Sequence, residues 1–264
     1  MKIDNKNLAF RIELAKELEL LKQVLNRFNI NKRSIGTIDR AIDTLKNKTI
    51  LPQTNVDDKG SAVATPLSWG YSIKDFIVDI DLSSSIQYPK KINNAKLVFS
   101  IELNGEFFDF TKNIQDPFKH LEFNVVVEGK SRKGKEHILS YHFDRHLEGG
   151  NSSNEVHPIY HFQLGGRKLD DFKSKGKNFG NKLIVDSPRF AHYPMDFISG
   201  LDFVLSNFDP KLWRDLKGDP RYIKILRNAQ NRTIKPFVAS LANHFGLCKT
   251  GNNWSVKDIC PQLV

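Results

Sequence analysis

The chain has 264 residues, 39% of them hydrophobic and 11% aromatic, enough apolar material to bury a core and so to read as globular. Forty basic against thirty acidic residues leave a net charge of +10, which favours a polyanionic partner such as nucleic acid, an acidic protein surface or anionic lipid. No apolar leader precedes the first charged helical stretch, no run approaches the roughly 18 apolar residues of a membrane span, and two cysteines make no disulfide framework, so the expectation is a cytoplasmic protein without membrane association.

In chain order, Leu14, Leu18, Leu21, Leu25 and Phe28 recur at spacings of three and four and predict a helix over 6–28. Ser34 as N-cap, followed by Ile35, Ile38, Ala41, Ile42 and Leu45, predicts a second. Between 48 and 70 periodicity disappears among Pro, Gly, Asp and Thr, the composition of a connection. From 72 the period becomes two. Phe76, Val78, Ile80 and Leu82 oppose Asp79 and Asp81; Leu97, Phe99, Ile101 and Leu103 oppose Lys96, Ser100 and Glu102; Leu121, Phe123, Val125 and Val127 oppose Glu122, Asn124 and Glu128. Strands with one apolar face predict an antiparallel sheet. Tyr141 and Phe143 continue the pattern, as do Tyr160, Phe162 and Leu164, and a loop over 147–156 would close these two segments into a hairpin.

A short strand is expected at 183–186, then a helix starting near Pro194 with Met195, Ile198, Leu201, Leu205 and Phe208 on one stripe. Further helices are expected over 211–217 and 220–245. The architecture is therefore α+β: a mainly antiparallel sheet of five or six strands (72–186), flanked by N-terminal helices (1–47) and C-terminal helices (194–245) in one composite domain, 1–264.

The polar side of the alternation is unusual. Solvated strands favour Lys, Thr, Glu and Arg, yet the two segments at 140–164 place Ser140, His142, Asp144, His146, His157, His161 and Gln163 there, with four of the chain's eight histidines among them. Imidazole and carboxylate on rigid strands suit metal binding or proton transfer. His142 and His146 stand about 13 Å apart in a strand, too far for one ion, whereas i, i+2 spacing lets His142 and Asp144 share an ion with His161 from across the hairpin. Such a site would take a divalent metal: zinc, manganese or magnesium. Asp202 interrupts an apolar helix and should face a partner, because a buried lone carboxylate is costly.

No phosphate-binding Walker loop, dinucleotide fingerprint, paired CxxC or serine or cysteine nucleophile motif occurs, which argues against P-loop nucleotide hydrolysis. His244, Cys248 and Cys260 offer three zinc ligands and no evident fourth, so free thiols are the simpler reading. For nucleic acid, Arg221, Lys224, Asn228, Asn231 and Lys235 fall on one helical face able to touch phosphates, a contact without sequence choice. Two basic loops, "GKSRKGK" at 129–135 and "GGRKLDDFKSKGKNFGNK" at 165–182, add charge, with Arg167 and Lys168 in the second.

"YHFDRH", "HPIYHFQLGG" and "PRFAHYPMDFISGLDFVLSNF" together resemble the motifs of an uncharacterised bacterial protein family of a type found near mobile elements and antiphage defence systems. The resemblance covers 141–208, about a quarter of the chain, and implies no established activity. It implies a defence context, and it groups His142, Asp144, His161, Gln163, Arg189, His192 and Asp196 as one site. The expected function is a nucleic-acid-engaging defence component. In its sharper form His142, Asp144 and His161 hold a metal that activates water for phosphodiester hydrolysis, Arg189 or His192 assists the leaving group, and Gln163 and Asp196 complete the catalytic set. The competing expectation is a non-catalytic interaction subunit that binds a partner protein.

Overall fold

The period-two segments pair in the order in which the chain makes them. The computed structural model describes residues 3–28, 30–49, 65–82, 92–109, 114–145, 158–165, 189–247, 254–261 and 263. Helices α1 (Asn5–Leu25) and α2 (Lys32–Lys46) precede the strands β1 (Ser68–Asp79), β2 (Ile92–Glu106), β3 (His120–Ser131), β4 (Glu136–Arg145), β5 (Tyr160–Leu164) and β6 (Phe190–Ala191). Helices α3 (Phe197–Phe208), α4 (Pro210–Lys217), α5 (Pro220–Arg232), α6 (Ile234–His244) and α7 (Val256–Ile259) follow. The six strands form one antiparallel sheet in the order β1-β2-β3-β4-β5-β6, so the α+β class and the strand number read from the sequence hold. The expected strand at 183–186 lies outside the described residues.

Register aligns like with like across the whole sheet. One level runs Ile73, Ile101, Phe123, Phe143, Phe162, Phe190, and the next runs Ser72, Glu102, Glu122, Asp144, His161, Ala191. Because successive side chains alternate faces, the first level lies on the apolar face and the second on the polar one. Phe197 in α3 stacks on Phe99 with centroids 5.5 Å apart, and Phe203 meets Phe143 at 5.2 Å. Gly200 is needed between them, since a Cβ there would come within 2.8 Å of the Phe123 ring. Cover fades toward the sheet edge: Phe123 is fully buried, while Phe190 on the same level is 60% exposed.

The N-terminal helices pack beside β1, where Phe10 meets Trp69 at 5.2 Å. Leu14, Leu18, Leu21 and Leu25 are buried, as their spacing predicts. Ser34 is not the N-cap of α2; Asn31 is, accepting from the Arg33 amide at 2.9 Å. The buried Ser34 hydroxyl instead accepts from the Ile77 amide at 3.0 Å, just past a bulge at which Asp75 takes φ 55°. Arg11 is buried against the end of α2, donating to the carbonyls of Thr44, Leu45, Asn47 and Thr49, so a cation closes the helix end where four carbonyls have no helical partner. No helix among the described residues is long and apolar enough to cross a membrane.

Two helix boundaries differ from expectation for local reasons. The helix expected from Pro194 begins at Phe197, because Asp196 and Ser199 form a reciprocal capping box. The helix expected over 220–245 breaks at Thr233. Pro236 has no amide hydrogen to return to Arg232, and its ring would strike that carbonyl, so α5 stops and α6 restarts.

Candidate functional site

The β4–β5 hairpin forms, and it brings the two polar sets side by side. Asp144 lies opposite both Glu122 and His161, and His142 opposite both Asn124 and Gln163. The His142 and His161 rings stand perpendicular with centroids 6.0 Å apart, and His142 Nε2 is 3.9 Å from Asp144 Oδ2. Glu102, Glu122 and Asp144 occupy adjacent strands at one level, a row of like charges that costs stability unless offset; Lys74 Nζ is 3.6 Å from Glu102, and Asn124 donates to Glu122 at 2.9 Å. The cluster is enclosed: His142 is 7% exposed, His161 6% and Gln163 4%. Among the described residues no group of three or more His, Cys, Asp or Glu side chains is arranged to hold a metal ion. His146, His157 and Cys248 lie outside the described residues; Cys260 is half-buried and His244 is exposed.

The seven residues grouped by the motif resemblance do not form one site. Arg189 leads into β6 at the sheet edge, where the alternation running back from Ala191 puts it on the polar face. His192 and Asp196 lie on the other side: alternation from Ala191 puts His192 with Phe190 on the apolar face, its amide still donating to the Tyr160 carbonyl of β5 at 3.0 Å, and the chain then leads into α3 on that face. The His192 ring packs against Phe143 at 5.1 Å and Phe203 at 5.4 Å, and its Nδ1–H donates to the Tyr193 carbonyl at 2.8 Å. Asp196 caps α3 and accepts from Arg232 Nη2 at 2.9 Å, next to the Phe197 amide that Tyr71 on β1 binds.

His192 and His120 are both held below the usual imidazole range. Burial is the largest cause for each; a hydrogen bond to Tyr193 opposes it at His192, and Glu102 and Glu122 oppose it at His120. A depressed folded-state pKa means that the native protein binds fewer protons than the unfolded chain. The stabilisation is complete above the unfolded value of about 6.5 and is lost as the pH falls below it. The melting temperature should therefore fall between roughly pH 7 and 5.5, and His192→Phe should make that fall shallower. Equal slopes for the two proteins would show that His192 is not protonated on unfolding.

The basic helices are arranged differently from the single stripe expected. Arg221 is turned onto Asp219, at 2.8 Å through Nη2 and 3.1 Å through Nε. Arg221's hydrogen bond is the first cause that holds the Asp219 carboxyl far below the carboxylate range, and Arg27 adds to it from 2.8 Å. Asn228 donates to Glu17 of α1 at 2.7 Å, and Lys235 belongs to α6. The exposed face of α5 is Lys224, Arg227 and Asn231, and Arg227, left out of the expected stripe, is three residues from one and four from the other. An open groove of about 540 Å³ runs along this face, lined by Lys217, Gly218, Pro220, Ile223, Lys224, Arg227, Asn228 and Asn231.

The local sequence explains why the groove has this form. Two of the Asp–Pro pairs, at 209–210 and 219–220, each start a helix with Asp as the cap and Pro in the first turn. Asp202, expected to need a partner, accepts from Trp213 Nε1 at 3.0 Å and the Tyr222 hydroxyl at 3.1 Å, with Lys217 Nζ at 3.5 Å. That cluster fixes α4 and α5 on α3. Elsewhere, Lys130, Arg132, Lys133 and Lys135 are exposed at the β3–β4 turn, where Gly134 supplies φ 77°. Arg167 and Lys168 lie outside the described residues. No family model, curated protein or solved structure matches the chain.

Proposed function

We propose that the protein engages nucleic acid through the surface of α4, α5 and the start of α6. The supporting observation is an accumulation of basic residues, of which, among the described residues, Lys217, Arg221 and Arg232 are paired with carboxylates and the other five are not. Between 210 and 235 the chain carries eight basic residues and two acidic ones, about a tenth of the sequence holding six of its ten net positive charges. Lys211, Arg214, Lys224, Arg227 and Lys235 are exposed and have no acidic partner among the described residues. A surface of this kind gains free energy on meeting phosphates, because condensed counterions are released from the polyanion. A place in defence against phage or mobile DNA is proposed on the motif resemblance alone. Hydrolysis is left out of this reading, since His142 and His161 are buried and a polymer does not reach them as they stand.

Fluorescence anisotropy with labelled mixed-sequence nucleic acid tests the reading. Wild-type protein should bind at low salt, and Lys211→Glu with Arg214→Glu should weaken binding by at least about tenfold. Absence of wild-type binding to every nucleic acid tried at ~50 mM salt would sink the proposal.

A further inference from the structure

Sites for single strands and for duplexes need different side chains. A single-strand site couples a basic track to aromatic rings on which successive bases stack, whereas a duplex keeps its bases stacked inside and presents phosphates at a regular spacing. None of the described residues lining the α5 groove is aromatic. The rings closest in sequence are committed elsewhere. Lys217 Nζ sits 5.4 Å from the centroid of Trp213, whose indole N–H is spent on Asp202. Tyr222 is fully buried with its hydroxyl on the same carboxylate.

What the groove does offer is fixed charge on a braced helix. Glu17 of α1 holds the inner side of α5 through Asn228 and Arg232, each at 2.7 Å, and Arg27 holds its N-cap through Asp219 at 2.8 Å. Lys224, Arg227 and Asn231 face outward across seven residue steps, about 10 Å at 1.5 Å per residue.

Building on the nucleic-acid reading above, we propose that this groove takes the phosphate backbone of a double-stranded nucleic acid in preference to a single strand. Lys224 and Arg227 neutralise phosphates, and the Asn231 amide donates to a neighbouring phosphate oxygen. Charge and geometry make this a contact with the backbone and not a reading of bases.

The test compares a duplex of roughly 20 base pairs with its separated strand by anisotropy between ~50 and ~200 mM salt, using wild type and Lys224→Ala with Arg227→Ala. The duplex arm is run with DNA and with RNA, and a preference for either duplex over its strand supports the proposal. Both residues are exposed without acidic partners, so the variant should melt at the wild-type temperature. The wild type should bind the duplex at least about tenfold more tightly than the strand, and the variant should lose about 1.8 from the slope of log affinity against log salt. A strand bound as tightly as the duplex overturns the duplex assignment and leaves the nucleic-acid reading standing. A duplex preference with an unchanged slope in the variant overturns the assignment to α5. Binding of neither form overturns both.

Discussion

Arg232→Ala should cost about 3–5 kcal/mol of folding stability, a large part of the 5–15 kcal/mol of an ordinary domain. Arg232 Nη2 lies 2.7 Å from Glu17 Oε2 and 2.9 Å from Asp196 Oδ2, and the three side chains are 12%, 12% and 5% exposed. Deleting the guanidinium leaves two carboxylates buried near one another without a cation. The cost is the desolvation of those charges more than the lost attraction, which distinguishes this site from the exposed Lys16–Glu13 pair, worth less than about 1 kcal/mol. Urea unfolding followed by circular dichroism measures the loss. If desolvation is the cause, Glu17→Gln, Asp196→Asn and Arg232→Met combined should recover most of it, since an uncharged set of similar volume leaves no bare charge. A triple variant as unstable as Arg232→Ala would mean that the attraction itself dominates. The same cluster braces α5, so Arg232→Ala should also loosen the groove face.

Phe99→Ala should cost a comparable 3–5 kcal/mol by a different route. Phe99 is 1% exposed, and the rings of Phe76, Phe197 and Phe123 surround it at 5.0, 5.5 and 6.0 Å. Truncation removes the transfer free energy of the ring and leaves a cavity that aromatic neighbours on a rigid sheet fill poorly. The control is Phe190→Ala, an aromatic on the same face at the uncovered edge, where the change should stay within ±0.5 kcal/mol. Equal losses at the two positions would mean that cover by α3 does not decide the energetics of this face. The denaturant midpoint should move in Phe99→Ala with its slope unchanged, as expected when the surface exposed on unfolding is the same.

The polar face and the basic helices differ in how far the sequence reveals them. Alternation places His142, Asp144, His161 and Gln163 on one side of their strands, and the hairpin makes them neighbours, because strand period and hairpin pairing are local properties. It does not reveal that they are buried, which depends on what covers the sheet. His192 falls on the opposite face by alternation from Ala191, whereas Asp196 lies there because chain direction after an edge strand is set by where α3 docks. On α5, helical spacing finds the outward face but cannot say that Arg221, Asn228 and Arg232 are spent on carboxylates; the Glu17 partner of Asn228 is 211 residues away in the sequence. The break at Thr233 was within reach, since Pro236 announces it through its missing amide.

The first five strands, the split of the sheet into apolar and polar faces, the leucine stripe of α1 and the two Asp–Pro helix starts follow from residues within one turn or one strand of each other. Burial of Arg11 and Arg232, the placing of Asp196 away from the histidines and the choice of Lys224, Arg227 and Asn231 as the open face of α5 follow from docking. A charged or polar side chain can point to solvent or to a partner at similar local cost. Only the packed arrangement of α1, α3 and α5 supplies the carboxylates that draw some of these residues inward and leave the others exposed.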